Sequence, residues 1–100
     1  MVGDSMPFLD RELGVYTSTR VLEQREPVLV VFHDRDGDWQ FLSGKESEAS
    51  EAMYVHIEHL LSLDSTLELI ASLPIGWKAW RQTIHAPWSS ASYDQSRPAI

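Results

Sequence analysis

The sequence predicts an α+β domain in which an antiparallel sheet of four to five strands packs against one helix at about residues 65–72. Three observations lead to this fold class. Short runs rich in β-branched and aromatic residues recur along the chain, as is typical of strands. Asp36-Gly37 separates two of these runs, and this pair is a strong signal for a β-hairpin. A capping residue, Asp64 or Ser65, precedes an apolar stripe of helical period, which indicates the helix.

The first three strands are predicted at residues 16–22, 28–32 and 39–42. The second and third of them form the hairpin. If Asp36 and Gly37 are its two turn residues, Phe32 pairs with Phe41 across the strands. This register predicts a core face that carries Val28, Val30, Phe32, Trp39 and Phe41.

Residues 53–63 leave two interpretations open. On a helix, the apolar residues of this segment share one face. On a strand, Met53 and Val55 alternate with Tyr54 and His56. The β-rich start of the segment favours a strand over its first half.

The polar residues 43–51 predict a loop, and the helix at 65–72 is expected to end before Pro74. A last strand is predicted at residues 75–81, because its side chains alternate. This strand places Trp77 and Ala79 on one face and Lys78 and Trp80 on the other.

The predicted domain boundaries are an N-terminal appendage at residues 1–14, a single α+β domain at 15–84 and a flexible C-terminal tail at 85–100. In the appendage, a short helix is expected between a cap at Ser5 and Gly14. The tail is rich in Pro, Ser, Asp and Gln, a composition typical of disorder. Within it, we expect Trp88 to dock on the domain.

Composition and charge narrow the classes of partner. The formal net charge is −7, and the eight Lys and Arg residues do not cluster. Nucleic-acid binding requires a basic stripe, so we predict no nucleic-acid partner. The negative charge is compatible with a basic protein partner, but it is explained equally by solubility. The longest apolar run, residues 28–32, is too short to cross a bilayer, so no membrane partner is predicted. The chain has no cysteine, which agrees with a reducing compartment and a cytoplasmic location.

Two groups of residues raise the question of a metal site. Asp34, Asp36 and Asp38 resemble the start of a calcium loop, but glycine is fourth rather than sixth and the twelfth residue is Lys45. His56, Glu58 and His59 are candidate metal ligands, although the H-E-x-x-H spacing of zinc proteases is absent.

Sequence signals of catalysis are also absent. The chain has no G-x-S-x-G elbow and no glycine-rich phosphate loop. We therefore predict no catalytic residue, no cofactor and no enzymatic activity.

A partner-binding surface is predicted on the second face of the hairpin. In the predicted register this face is apolar at its base, and the four-tryptophan content of the chain supplies a further exposed ring. Tryptophan is enriched at binding hot spots. The predicted surface consists of Leu29, Val31, His33, Leu42 and Trp80, and a homodimer is one assembly that such a surface can support.

Three stretches carry a resemblance to a family of small uncharacterised bacterial proteins: residues 37–42 (GDWQFL), His59 to Asp64 leading to Leu67, and residues 76–81 (GWKAWR). The resemblance covers about residues 17–81. The pattern W-x-F-x-x-G-x-E, here at Trp39–Glu46, is more distantly similar to a domain of unknown function. Relatives of that domain have been proposed as immunity proteins against bacterial toxins.

The resemblance implies a bacterial cytoplasmic protein and the order of the strands, and it assigns no catalytic residue. The leading hypothesis is therefore a non-catalytic protein-interaction module that is immunity-like. The alternative is a small metal- or ligand-binding protein that uses His56, Glu58 and His59.

Overall fold

The computed structural model describes residue 8, residues 10–47 and residues 50–93. Its strands are β1 (Gly14–Ser18), β2 (Val30–His33), β3 (Trp39–Leu42), β4 (Ala52–His56), β5 (Trp77–Trp80) and β6 (Ser89–Ser92). The helices are α1 (Thr19–Leu22), α2 (Ile57–Leu63) and a 3-10 helix (Ser65–Ile70). The described strands form one sheet in the order β4-β1-β3-β2-β5-β6. Strands β1 and β3 are parallel, and the other neighbours are antiparallel.

The α+β class is confirmed, but the predicted sheet and helix need correction. The described sheet has six strands rather than four to five, and it is mixed rather than antiparallel. The predicted helix at 65–72 is a 3-10 helix at Ser65–Ile70. Asp64 caps it by accepting a hydrogen bond from the Thr66 backbone N–H. In the ambiguous segment 53–63, β4 confirms the strand predicted for the first half. The second half forms α2, which is longer than the predicted helix.

The hairpin between β2 and β3 differs from the prediction by one residue. His33 pairs with Trp39 and Val31 with Phe41. The Gly37 N–H donates to the Asp34 carbonyl, and Gly37 has a positive φ of 95°. The loop therefore has three residues, a type I turn followed by a left-handed glycine, instead of the predicted two. Because strand side chains alternate, this slip exchanges the two faces of β2 relative to β3.

The hydrophobic core lies on one face of the sheet, under the helices. Val15, Val31, Phe41 and Ala79 on the strands are completely buried. They belong to one cluster with Ile57 and Leu60 of α2 and Leu67 and Ile70 of the 3-10 helix. Val28, Trp39 and Phe41 are core residues as predicted, whereas Val30 and Phe32 are only half-buried because of the changed register.

Strand β1 ends earlier than predicted. The extended backbone stops at Ser18, and Thr19–Leu22 forms the helical turn α1. Val21 of this turn is buried in the core. The turn therefore buries an apolar side chain that sequence alternation assigns to a strand.

Both predicted terminal segments contribute to the domain. Phe8, within the predicted appendage, is buried with its ring 5.1 Å from that of Trp39. Residues 10–13 form a turn, so they are not helical, and the cap predicted at Ser5 lies outside the described residues. The predicted tail contains β6, which pairs with β5 through Trp80–Ser89. Part of the predicted tail is thus paired in the described sheet, and residues 94–100 are outside the described part.

The described residues contain no candidate for a membrane-spanning helix. None of the helices within residues 10–47 and 50–93 combines the length and the apolar character that a bilayer crossing requires.

A buried arginine connects the sheet to the helical layer. The side chain of Arg81, directly after β5, is 1% exposed. Its guanidinium donates to the Val28 carbonyl at 3.0 Å, to the Asp64 carboxylate at 2.6 Å and to the Thr66 hydroxyl at 2.9 Å. The ring of Trp88, which packs against the core as expected, lies 4.2 Å from the guanidinium carbon. One side chain thus joins β5, the segment before β2, the 3-10 helix and the segment before β6.

We predict that Arg81→Lys destabilises the fold by about 1–3 kcal/mol, because a lysine can keep the ion pair with Asp64 but leaves buried acceptors such as the Val28 carbonyl without a donor. An ammonium group cannot make the planar set of donations of a guanidinium. Urea unfolding at pH 7 measures the loss. The control is Arg11→Lys, because the Arg11–Glu68 pair is largely exposed and contributes little. Equal stability of the two variants would contradict the structural role of Arg81.

Candidate interaction surface

The face of the sheet opposite the helices presents a continuous row of side chains. Successive cross-strand partners on this face run from β4 to β6 as Tyr54, Tyr16, Gln40, Phe32, Lys78 and Ala91. A second row beside it includes Leu42, Val30 and Trp80. We call these two rows, with Tyr93 at their edge, the open face.

Large aromatic side chains dominate the open face. Tyr54 is 64% exposed, and Tyr16 and Trp80 are each 39% exposed. The rings of Tyr16 and Tyr54 lie 4.9 Å apart in a tilted pair, and those of Phe32 and Tyr93 lie 5.3 Å apart in an edge contact. These exposed rings on one face of the sheet make the open face a candidate binding surface.

A groove of about 460 Å³ runs along the β1–β3 part of the open face. Its walls include Tyr16, Ser18, Gln40 and Leu42, and Ser47 and Ser50 before β4. Four carboxylates line it: Asp34, Asp38, Glu46 and Glu51. Among the described residues, no Lys or Arg lines the groove and none of the four carboxylates takes part in an ion pair. We call this feature the acidic groove.

Asp34 is held in place at the hairpin end of the acidic groove. Its carboxylate accepts hydrogen bonds from the Gln40 amide, at 2.8 Å, and from the Tyr93 hydroxyl. Burial, this hydrogen bond and the negative charges of Asp34 and Asp36 raise the pKa of Tyr93 above its ordinary value. The tyrosine therefore stays a neutral donor, and it connects the end of β6 to the hairpin.

Glu46 organises the loop at the other end of the acidic groove. Its carboxylate accepts from the Ser18 hydroxyl at 2.6 Å and from the backbone N–H groups of Ser43 and Gly44. Burial alone would raise the pKa of Glu46, but the hydrogen bonds from Ser18 and Ser43 outweigh it and the pKa is lowered. Gly44 has a φ of 91°, in the left-handed region that glycine tolerates.

The predicted partner-binding residues do not all lie on one face of the sheet. Leu42 and Trp80 lie on the open face. Val31 does not, because it is completely buried in the core. His33 stacks on Trp39 with ring centres 3.8 Å apart and contacts the Leu73 carbonyl through Nδ1 at 2.7 Å. The one-residue hairpin slip places both side chains under the helices, and Leu29 is half-buried just before β2.

Sequence reasoning missed the contribution of Tyr16 and Tyr54. Both lie in segments predicted as strands, and the alternation of Tyr54 and His56 with Met53 and Val55 indicates which side chains share a face. The parallel pairing of β1 with β3, which brings Tyr16 beside Gln40, has no local sequence signal.

The candidate metal ligands lie together at the other end of β4. His56 ends the strand, Glu58 and His59 lie in the first turn of α2, and all three line a shallow depression with Tyr54. Within residues 10–47 and 50–93, however, no three His, Asp or Glu side chains are grouped so as to hold a metal ion. This includes the aspartates of the hairpin.

Several residues of the motifs singled out in the sequence contribute to the fold. Trp39 is in the core, Gly44 and Glu46 form the loop at the acidic groove, and Asp64 pairs with Arg81. Each of these residues stabilises a connection between elements, and none of these contacts requires a catalytic role.

We predict that Glu46→Gln destabilises the protein by about 1–2 kcal/mol at neutral pH, because a charged acceptor is lost from two backbone donors. A lowered folded pKa means that the carboxylate contributes stability above its unfolded value of 4.5, and that this contribution disappears as pH falls. The difference between wild type and variant should therefore shrink between pH 7 and pH 3 in urea unfolding. Glu23→Gln, at an exposed position, is the control. A difference that does not change with pH would contradict the account of Glu46.

Comparison with known proteins adds no functional assignment. No family model, no curated protein and no solved structure matches the chain.

Proposed function

We propose that this chain is a non-catalytic protein-interaction module of the bacterial cytoplasm, and that its open face binds a basic protein. One observation supports the proposal above others. In the part of the chain that the structure describes, an exposed aromatic sheet face adjoins a groove whose lining includes four carboxylates and no basic side chain.

The aromatic residues supply the expected binding energy. Tyr and Trp are enriched among the residues that dominate protein interfaces, because they bury large areas with few rotatable bonds. Tyr16, Tyr54 and Trp80 are exposed on strands of one sheet, so their backbone positions are fixed before binding. A rigid surface loses little conformational entropy on association.

The charge distribution favours a basic partner. The chain has a net charge of −7, and the acidic groove concentrates four carboxylates on the open face. Complementary charge accelerates association and discourages partners of the same sign. Association should therefore slow as salt concentration rises.

An immunity-like role is the specific form of this proposal. It combines the resemblance to a domain whose relatives were proposed as toxin-immunity proteins with the chemistry of the open face. A toxin that acts on an anionic substrate presents a basic surface, and a small acidic protein that covers this surface excludes the substrate. Such inhibition requires no catalytic group in the inhibitor.

The metal-binding alternative receives less support. His56, Glu58 and His59 line a shallow depression, but the described residues contain no group of three ligands. Self-association through the open face is the competing outcome for the same surface. Sedimentation at varied concentration distinguishes the two, because a module for a different protein should be a monomer when alone.

The immunity proposal predicts a toxin-like coding region beside the gene for this chain. Co-expression of the two should restore growth, and the double variant Tyr54→Ser, Trp80→Ser should lower the affinity of the complex at least tenfold and abolish protection. The control is Leu69→Ser, which removes a 73% exposed apolar side chain from the 3-10 helix. Absence of a toxin-like neighbour would contradict the immunity role. Full protection by the double variant would contradict the role of the open face.

A further inference from the structure

We propose that a pocket in the helical layer binds a small carboxylate with an apolar body, and that Arg25 holds the carboxylate group. The pocket lies between α1, the segment before β2, α2 and the 3-10 helix, and we call it the helical pocket. None of its described lining residues belongs to the open face. The inference therefore goes beyond the proposed function, since a partner on the open face and a ligand in the helical pocket can be bound at once.

The walls of the helical pocket suit an apolar ligand. Its floor consists of four core side chains: Val21, Val28, Leu60 and Leu67. Leu63 and Ile84 complete the apolar lining and are 48% and 41% exposed. The volume is about 380 Å³, within the range of roughly 300–1,000 Å³ for small-molecule sites. An apolar body in this space would remove the two exposed side chains from water.

The charges around the helical pocket favour an anion. Its two lining carboxylates already have partners, because Glu26 pairs with Arg20 and Asp64 pairs with Arg81. Arg25 also lines the pocket, is exposed and has no ion-pair partner among the described residues. A planar guanidinium can bind a carboxylate through two parallel hydrogen bonds. A dianionic phosphate would leave a second negative charge close to Glu26 and Asp64, so we infer a monoanion.

The backbone at Arg25 is a second, independent observation. Among the described residues, Arg25 is the one non-glycine residue with a positive φ, at 61°. The Glu26 N–H donates to the Arg20 carbonyl at 3.0 Å and closes the turn around it. Glycine would adopt this conformation without strain, and side chains held in such a conformation are concentrated at functional sites. The presence of an arginine at this position therefore supports a role for its side chain in binding.

Three small probes test the inference: octanoate, acetate and octylammonium. Each is titrated into the isotope-labelled full chain and followed by NMR. Octanoate should produce saturable shifts of the Val21, Leu63 and Ile84 amide signals. Acetate lacks the apolar body and should not saturate over the same concentrations. Octylammonium should bind about tenfold more weakly than octanoate, although the net charge of −7 attracts it to the protein as a whole.

Variants of Arg25 locate the carboxylate group. Arg25→Gln should weaken octanoate binding about five- to tenfold, because a charged donor is lost. The control Lys45→Gln removes the same charge from an exposed position outside the helical pocket and should leave the dissociation constant unchanged. Arg25→Gly should weaken binding equally, yet its urea unfolding midpoint should be no lower than that of wild type. This last variant separates loss of a ligand contact from loss of the fold.

A second pair of variants locates the apolar body. Leu63→Ser should weaken octanoate binding about threefold, because apolar contact is lost. Leu69→Ser changes a more exposed leucine that does not line the helical pocket and should have no effect.

Three results would each overturn the inference. They are absence of saturable octanoate binding, octylammonium binding as tight as that of octanoate, and undiminished octanoate binding by both Arg25 variants. Octanoate shifts confined to Tyr16, Tyr54 and Trp80 would also overturn it, since they would indicate general hydrophobic contact with the open face.

Discussion

The guanidinium of Arg81 is the interaction on which the arrangement of the two layers depends. Its side chain is removed from solvent, so its N–H groups must find acceptors within the protein. They find them in the Val28 and Ile84 carbonyls, the Thr66 hydroxyl and the Asp64 carboxylate. Burial would raise the pKa of Asp64, but hydrogen bonds from Thr66 and Arg81 outweigh it and lower the pKa. The carboxylate therefore stays charged beside its partner, and it caps the 3-10 helix at the same time.

This connection keeps the helical layer on one side of the sheet. Because Arg81 follows β5 directly and bonds to the 3-10 helix, Ala79 of β5 is buried with Leu67 while Trp80 projects from the opposite face. Alternation along the strand then decides which aromatic residues stay available. The exposed rings of Tyr16, Tyr54 and Trp80 are thus a consequence of how the core is assembled. The open face and the acidic groove, to which we assign the proposed function, both result from this arrangement.

Local sequence signals predicted several strands correctly. Pairing between residues distant in the sequence could not be predicted from such signals. Trp39–Leu42 was predicted with its observed bounds, and the two faces of β5 were assigned correctly from alternation. The hairpin register was wrong because Asp-Gly fits both two-residue and three-residue turns, and residues 28–32 are apolar on both faces. Ser89–Ser92 has little strand propensity and pairs because β5 offers a free edge. Of the predicted binding surface, Leu42 and Trp80 lie on the open face. Val31 and His33 lie on the opposite face, because the hairpin register differs from the predicted one.

The central claim is that one face of the sheet is covered and the other is open, and accessibility of individual side chains tests it most directly. A soluble paramagnetic probe broadens the NMR signals of side chains that it can approach. Our account predicts strong broadening for Tyr16, Tyr54 and Trp80 and little for Val15, Val31 and Phe41 in the full chain. If Tyr16, Tyr54 and Trp80 are broadened as little as Val15, Val31 and Phe41, the face is not open. Strong broadening of Val31 would contradict the hairpin register.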